Sequence, residues 1–98
     1  MTYKPPAGLS KEAKRLWKQL AIELNLDGGG HLVLNLLAQS WDRREEARRA
    51  LKQDGLIVAD RFQQRKQHPA VAVERDCSLQ ILRCYHALGM DLQPQEVE

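Results

Sequence analysis

Residues 51–70 read LKQDGLIVADRFQQRKQHPA, and residues 88–94 read LGMDLQP. The order of these parts decides the fold. A long charged helix stops at Asp54-Gly55, with Gly55 expected in the left-handed conformation that ends many helices. Leu56 to Ala59 is short, apolar and β-favouring. A polar, basic tip follows, and Phe62 is placed to begin a return strand. His68 then braces the turn before Pro69, which suits the first turn of another helix. That helix ends in turn at Leu88-Gly89. The stretch therefore reads as helix, β-hairpin or extended arm, helix.

Upstream, Pro5-Pro6 forbids helix and Ser10 is a good N-cap. Helix one is expected over about 11–24, with Ala13, Leu16, Trp17, Leu20 and Leu24 as its apolar stripe. Lys11, Lys14, Arg15 and Lys18 fall mostly off that stripe. Asn25 to Gly30 reads as a turn, because three consecutive glycines discourage helix. Helix two is expected over about 31–53, with Leu32, Val33, Leu36, Leu37, Ser40, Trp41, Ala47 and Leu51 on its core face. Helix three is expected over about 70–88, with Val71, Ser78, Ile81, Leu82, Tyr85 and Leu88 inward. The fold class is thus mainly α, three principal helices with a short β-hairpin or extended arm between helices two and three. The domain reading is a flexible leader at 1–9, one helical domain at 10–89 and a short acidic tail at 90–98.

Composition limits function. Ninety-eight residues make one domain with a modest core, for which self-association or partners would add stability. No apolar run is long enough for a membrane span and no signal peptide is evident, so a cytoplasmic location is expected and no membrane partner. The net charge of +2 is unevenly spread. Residues 1–24 and 42–66 are basic, whereas 67–98 are mildly acidic. A basic front suits nucleic acid, and solvated helix faces have the same composition.

Catalytic chemistry is missing from the pattern. His31, His68 and His86 lack metal-ligand spacing to one another or to a cysteine pair. Cys77 and Cys84 are separated by about 10 Å along one helix, too far for a disulfide, and read as buried thiols. The Gly28-Gly29-Gly30 run lacks the Lys-Ser/Thr of a phosphate loop. No serine sits in a nucleophile elbow. No enzyme activity, cofactor or metal is expected.

Arg44 and Arg48 are like charges one turn apart, projecting near Trp41 rather than onto the polar side. Snorkelling along an exposed seam, an ion pair with a neighbouring helix or subunit, and a phosphate contact each account for them.

The ordered series of segments resembles a known family. It comprises LSKEAKRLWKQL at 9–20, a glycine-bearing turn, WDRREEA at 41–47, LKQDGLIV at 51–58, His68-Pro69-Ala70, and Leu88-Gly89-Met90 followed by Pro94. Over about residues 5–94 the chain resembles phage terminase small subunits of the P27, or HK97-like, family. That family often caps helix two with an Asp just after the turn and carries a Gly at the loop tip; here glycines occupy the area and the nearest acid is Asp27, and the tip reads Phe62-Gln63-Gln64. A basic extension that commonly follows the terminal Pro is replaced by Gln95-Glu96-Val97-Glu98.

The resemblance implies a non-catalytic, homo-oligomeric packaging factor that binds double-stranded viral DNA and regulates the terminase large subunit. DNA contact is then expected at Arg61, Arg65 and Lys66 of the tip, with Lys11, Lys14, Arg15 and Lys18 as the second patch. Trp41, Arg44 and Arg48 are expected at subunit contacts. The competing reading is a mobile-element interaction adaptor that does not touch DNA.

Overall fold

A computed structural model describes residues 3–90. It contains α1 (Lys11–Glu23), α2 (Gly28–Asp54), β1 (Ile57–Ala59), β2 (Arg65–Gln67) and α3 (Ala70–Ala87). The two strands form an antiparallel hairpin between the second and third helices, as the sequence order implies. The acidic tail expected after Met90, including Pro94, lies outside the described residues.

Each helix begins where a side chain meets otherwise unsatisfied backbone donors. Ser10 Oγ accepts the Ala13 N–H at 3.0 Å and opens α1. Asp27 Oδ1 accepts the Gly30 N–H at 2.8 Å and opens α2. The glycine run is therefore the first turn of α2 rather than a loop, because a cap outweighs the modest cost of glycine there. Gly30 also needs its missing side chain, since a Cβ would lie 2.9 Å from Leu26. At α3, Pro69 offers no side-chain cap, and His68 Nδ1 accepts the Ala70 N–H at 3.0 Å instead.

Gly55 ends α2 with φ 82° and ψ 171°, so it is not the left-handed helical residue expected from sequence. It occupies an extended region with positive φ that is essentially restricted to glycine. This conformation turns the chain directly from helix into β1.

The core lies where the first half of α2 meets α1 and the end of α3. Leu9, Ala13, Trp17, Leu20, Leu34, Leu37, Ala38 and Cys84 form one buried cluster. Trp17 Nε1 donates to Asn35 Oδ1 at 2.7 Å, satisfying the indole donor. Residues before α1 join this body, with Leu9 in the core and the Tyr3 ring stacked on His31 at 3.9 Å.

Two expected core faces are met in part: Leu37, Ser40 and Ala47 of α2 are buried, and Leu88 beyond α3 packs against the core. On α2, Leu34 and Ala38 are buried, whereas Leu32 is 71% exposed and Leu36 43%. This helix serves two partners, α1 on one side and α3 on the other, which shifts its buried arc. On α3 the buried positions are Ala70, Cys77 and Cys84, at heptad spacing, whereas Leu82 and Tyr85 stay open. Small residues line this seam (Ser40 and Ala47 face it from α2), and they let two helices approach closely. Burial pushes the Cys84 thiol pKa up, partly opposed by the Gln80 amide that donates to its sulfur.

Candidate nucleic-acid interface

Successive residues of an α-helix are about 100° apart around its axis. On α1 this gathers Lys11, Lys14, Arg15 and Lys18 into one row, opposite the buried Ala13, Trp17 and Leu20. All four cations are exposed. Glu12 and Glu23 lie off the row, and no ion pair among the described residues engages any of its members. Together with Gln19 and Ile22, the four line a shallow open groove. Such a row attracts phosphates and releases their counterions without reading sequence.

The hairpin arranges its charges differently. Ala59 pairs with Arg65 and Val58 with Lys66. Neighbouring residues of a strand point to opposite faces, so Arg65 and Lys66 project on opposite sides. Arg61 lies over the Phe62 ring at 4.9 Å. The tip therefore spreads its three cations around a thin projection. Asp60 organises the turn, its Oδ1 accepting the Phe62 N–H at 2.8 Å and the Gln64 N–H at 2.9 Å. Gln63 takes φ 63°, the position a glycine would fill in this kind of three-residue loop.

Trp41, Arg44 and Arg48 share one flank of α2. Trp41 is half-buried against the core cluster. Glu45 of the same helix lies 3.4 Å from Arg44 and 3.7 Å from Arg48, so the nearest acid is local rather than from a neighbouring helix. The Arg44 Nε is buried and has no hydrogen-bond partner among the described residues.

The candidate surfaces are thus a basic row, a basic projection and an arginine-bearing flank. Among the described residues no group of three or more His, Cys, Asp or Glu could hold a metal ion. Nor is any described helix long and apolar enough to cross a membrane.

The family model described as phage terminase, small subunit, matches residues 10–95, from the Ser10 cap through all three helices. The chain belongs to this family. No curated protein and no solved structure matches it. Small subunits of terminases are generally non-catalytic, and their general partners are DNA and the large subunit. The family's ordered segments map onto structural joints in this chain. The Leu9-Ser10 pair is a core contact followed by a cap, Asp42 of the second segment bonds back to Ser10, and His68 closes the hairpin base.

Sequence reasoning missed two features. Asp42 lies within the charged WDRREEA run, where no local signal marks it as the partner of Ser10. Ile22 was passed over because it falls off the core stripe, yet it is 85% exposed at the end of the cation row. An apolar residue four positions beyond Lys18 on the same helical face was the available signal.

Proposed function

We propose that this chain is the small terminase subunit of an HK97-like phage or prophage, which binds double-stranded viral DNA as an oligomer and regulates the large subunit during packaging. The row formed by Lys11, Lys14, Arg15 and Lys18 is the primary phosphate contact. Arg61, Arg65 and Lys66 form a second, adjustable contact on the hairpin. The supporting observation is the gathering of four exposed cations, none in an ion pair among the described residues, directly opposite the core face of α1. The flank of Trp41, Arg44 and Arg48 serves subunit contact, a reading supported by the buried Arg44 Nε, which has no hydrogen-bond partner among the described residues. Repetition of a weak phosphate contact around an oligomer multiplies affinity without new chemistry.

Gel shifts with duplex DNA at low salt test this reading, run on two alanine variants. Replacing Lys11, Lys14, Arg15 and Lys18 should abolish retention, and replacing Arg61, Arg65 and Lys66 should weaken it, with oligomer size by light scattering unchanged in both. A monomeric protein with no DNA-dependent shift would instead favour the interaction adaptor.

A further inference from the structure

The cation row on α1 does not end in solvent. Lys18 and Ile22 line the groove of the row, and the same two residues line a second hollow with Tyr3, Trp17, Ala21 and His31. The hollow and the groove therefore adjoin at Lys18 and Ile22.

The hollow is built from flat rings. Tyr3 stacks on His31 at 3.9 Å with the planes 13° apart, and Trp17 tilts against the same imidazole at 5.7 Å. His31 Nδ1 donates to the Asp27 carbonyl at 2.9 Å, which fixes its ring beside the α2 cap. The Trp17 indole is held through Asn35. Tyr3 is thus supported on one ring face while 40% of the residue remains open. Ile22, 85% exposed, supplies an apolar wall that the protein's own core does not use.

A positive groove leading to a ring platform is the pairing that holds unstacked nucleic acid, with cations tracking the backbone and an aromatic face receiving a base. A sealed duplex keeps its base faces stacked inside, and offers phosphates and base edges but no base face to such a surface. From Lys11 to Ile22 the row rises about 16 Å, a few nucleotides of extended strand. We infer that the Tyr3–His31–Ile22 hollow receives an unpaired base, so that this surface holds single-stranded or frayed DNA more tightly than blunt duplex. The inference rests on the reading of the α1 row as DNA-facing.

Fluorescence anisotropy with the full chain separates the possibilities. Three labelled probes are compared at one salt concentration: a thymidine 12-mer, a blunt hairpin duplex, and the same duplex with a single-stranded overhang. Wild type should bind the 12-mer and the overhang duplex more tightly than the blunt one. Tyr3→Ala should lower affinity for the 12-mer roughly tenfold and leave blunt-duplex affinity within about twofold, whereas Tyr3→Phe should retain both. Ile22→Ser, at an exposed position that cannot unfold the core, should also lower affinity for the 12-mer selectively. Preference of wild type for blunt duplex, or unchanged 12-mer binding in both Tyr3→Ala and Ile22→Ser, overturns the inference. If the quadruple alanine variant of the row keeps full affinity for every probe, the DNA-facing reading of α1 itself fails, and the inference with it.

Discussion

Ser10 and Asp42, 32 residues apart in sequence, are joined by two hydrogen bonds: the Ser10 N–H donates to Asp42 Oδ2 at 2.8 Å and the Ser10 hydroxyl to Oδ1 at 2.5 Å. The same hydroxyl oxygen accepts the Ala13 N–H, so the cap of α1 is itself held by α2. The carboxylate also sits at the positive end of the α1 dipole. This clamp sets where the cation row of α1 stands relative to the long helix.

Ser10→Ala and Asp42→Ala should each destabilise the fold by about 1–2 kcal/mol, from the lost cap and the lost charge-assisted bonds. The double variant should cost clearly less than the two single costs combined, because each removes the same joint. Urea denaturation of the three variants checks this, and strict additivity would mean that the two residues act separately.

Gln63→Gly should stabilise the protein by about 1 kcal/mol. Gln63 holds φ 63° in the turn, a conformation that costs residues with a Cβ and not glycine. Gly55→Ala should do the reverse at φ 82°, although nothing crowds the position where its Cβ would go. The pair of midpoints in urea measures both signs.

His68 ties three segments together. Its Nε2 donates to Asp54 Oδ2 at 3.0 Å, its Nδ1 accepts the Ala70 N–H, and its backbone N–H donates to the Leu56 carbonyl at 2.7 Å. His68→Ala leaves only the last and should cost about 1–2 kcal/mol. Hydrogen exchange should show the loss concentrated in β1, β2 and the first turn of α3, because a two-stranded hairpin has little stability of its own.

Cys84 makes stability fall at alkaline pH. Burial raises its folded-state pKa above the ordinary value of 9.0. Below that value both folded and unfolded thiols are protonated and the contribution is fully present. As pH rises past it the unfolded chain releases the proton first, so the contribution is lost as pH climbs through the folded pKa. Cys84→Ala also leaves a small void and should be less stable at neutral pH. The difference in Tm between wild type and this variant should narrow as pH rises past the ordinary thiol value of 9.0.

Much of this architecture was legible in the chain. Ser10, Gly55, Pro69 and Gly89 punctuate it, and local chemistry of that kind acts within a few residues. The hairpin was legible for the same reason, although β2 starts at Arg65 rather than near Phe62. That shift comes from Asp60, whose side chain turns residues 61–63 into the loop. The helix faces were less legible. Packing between α2 and α3 uses Ser40 and Ala47, which the expected α2 face includes, and Ala70 and Cys77, which contribute little to a hydrophobic pattern and fall outside the expected α3 face, whereas the larger Leu36, Leu82 and Tyr85 of the expected faces stay open. The candidate site divided likewise. The α1 cations follow from helical spacing alone, whereas the scattering of the tip cations depends on strand register, and the Tyr3–His31 contact joins residues no local rule connects.

The central claim is that the α1 row neutralises DNA phosphates, and the salt dependence of duplex binding tests it most directly. Log affinity should fall linearly with log salt, and replacing Lys11, Lys14, Arg15 and Lys18 by alanine should flatten the slope by about 3–4 per subunit engaged, since each phosphate contact contributes close to 0.9. A slope unchanged by the four substitutions would contradict the account, because the row would then be a solvated face and the DNA contact would lie elsewhere.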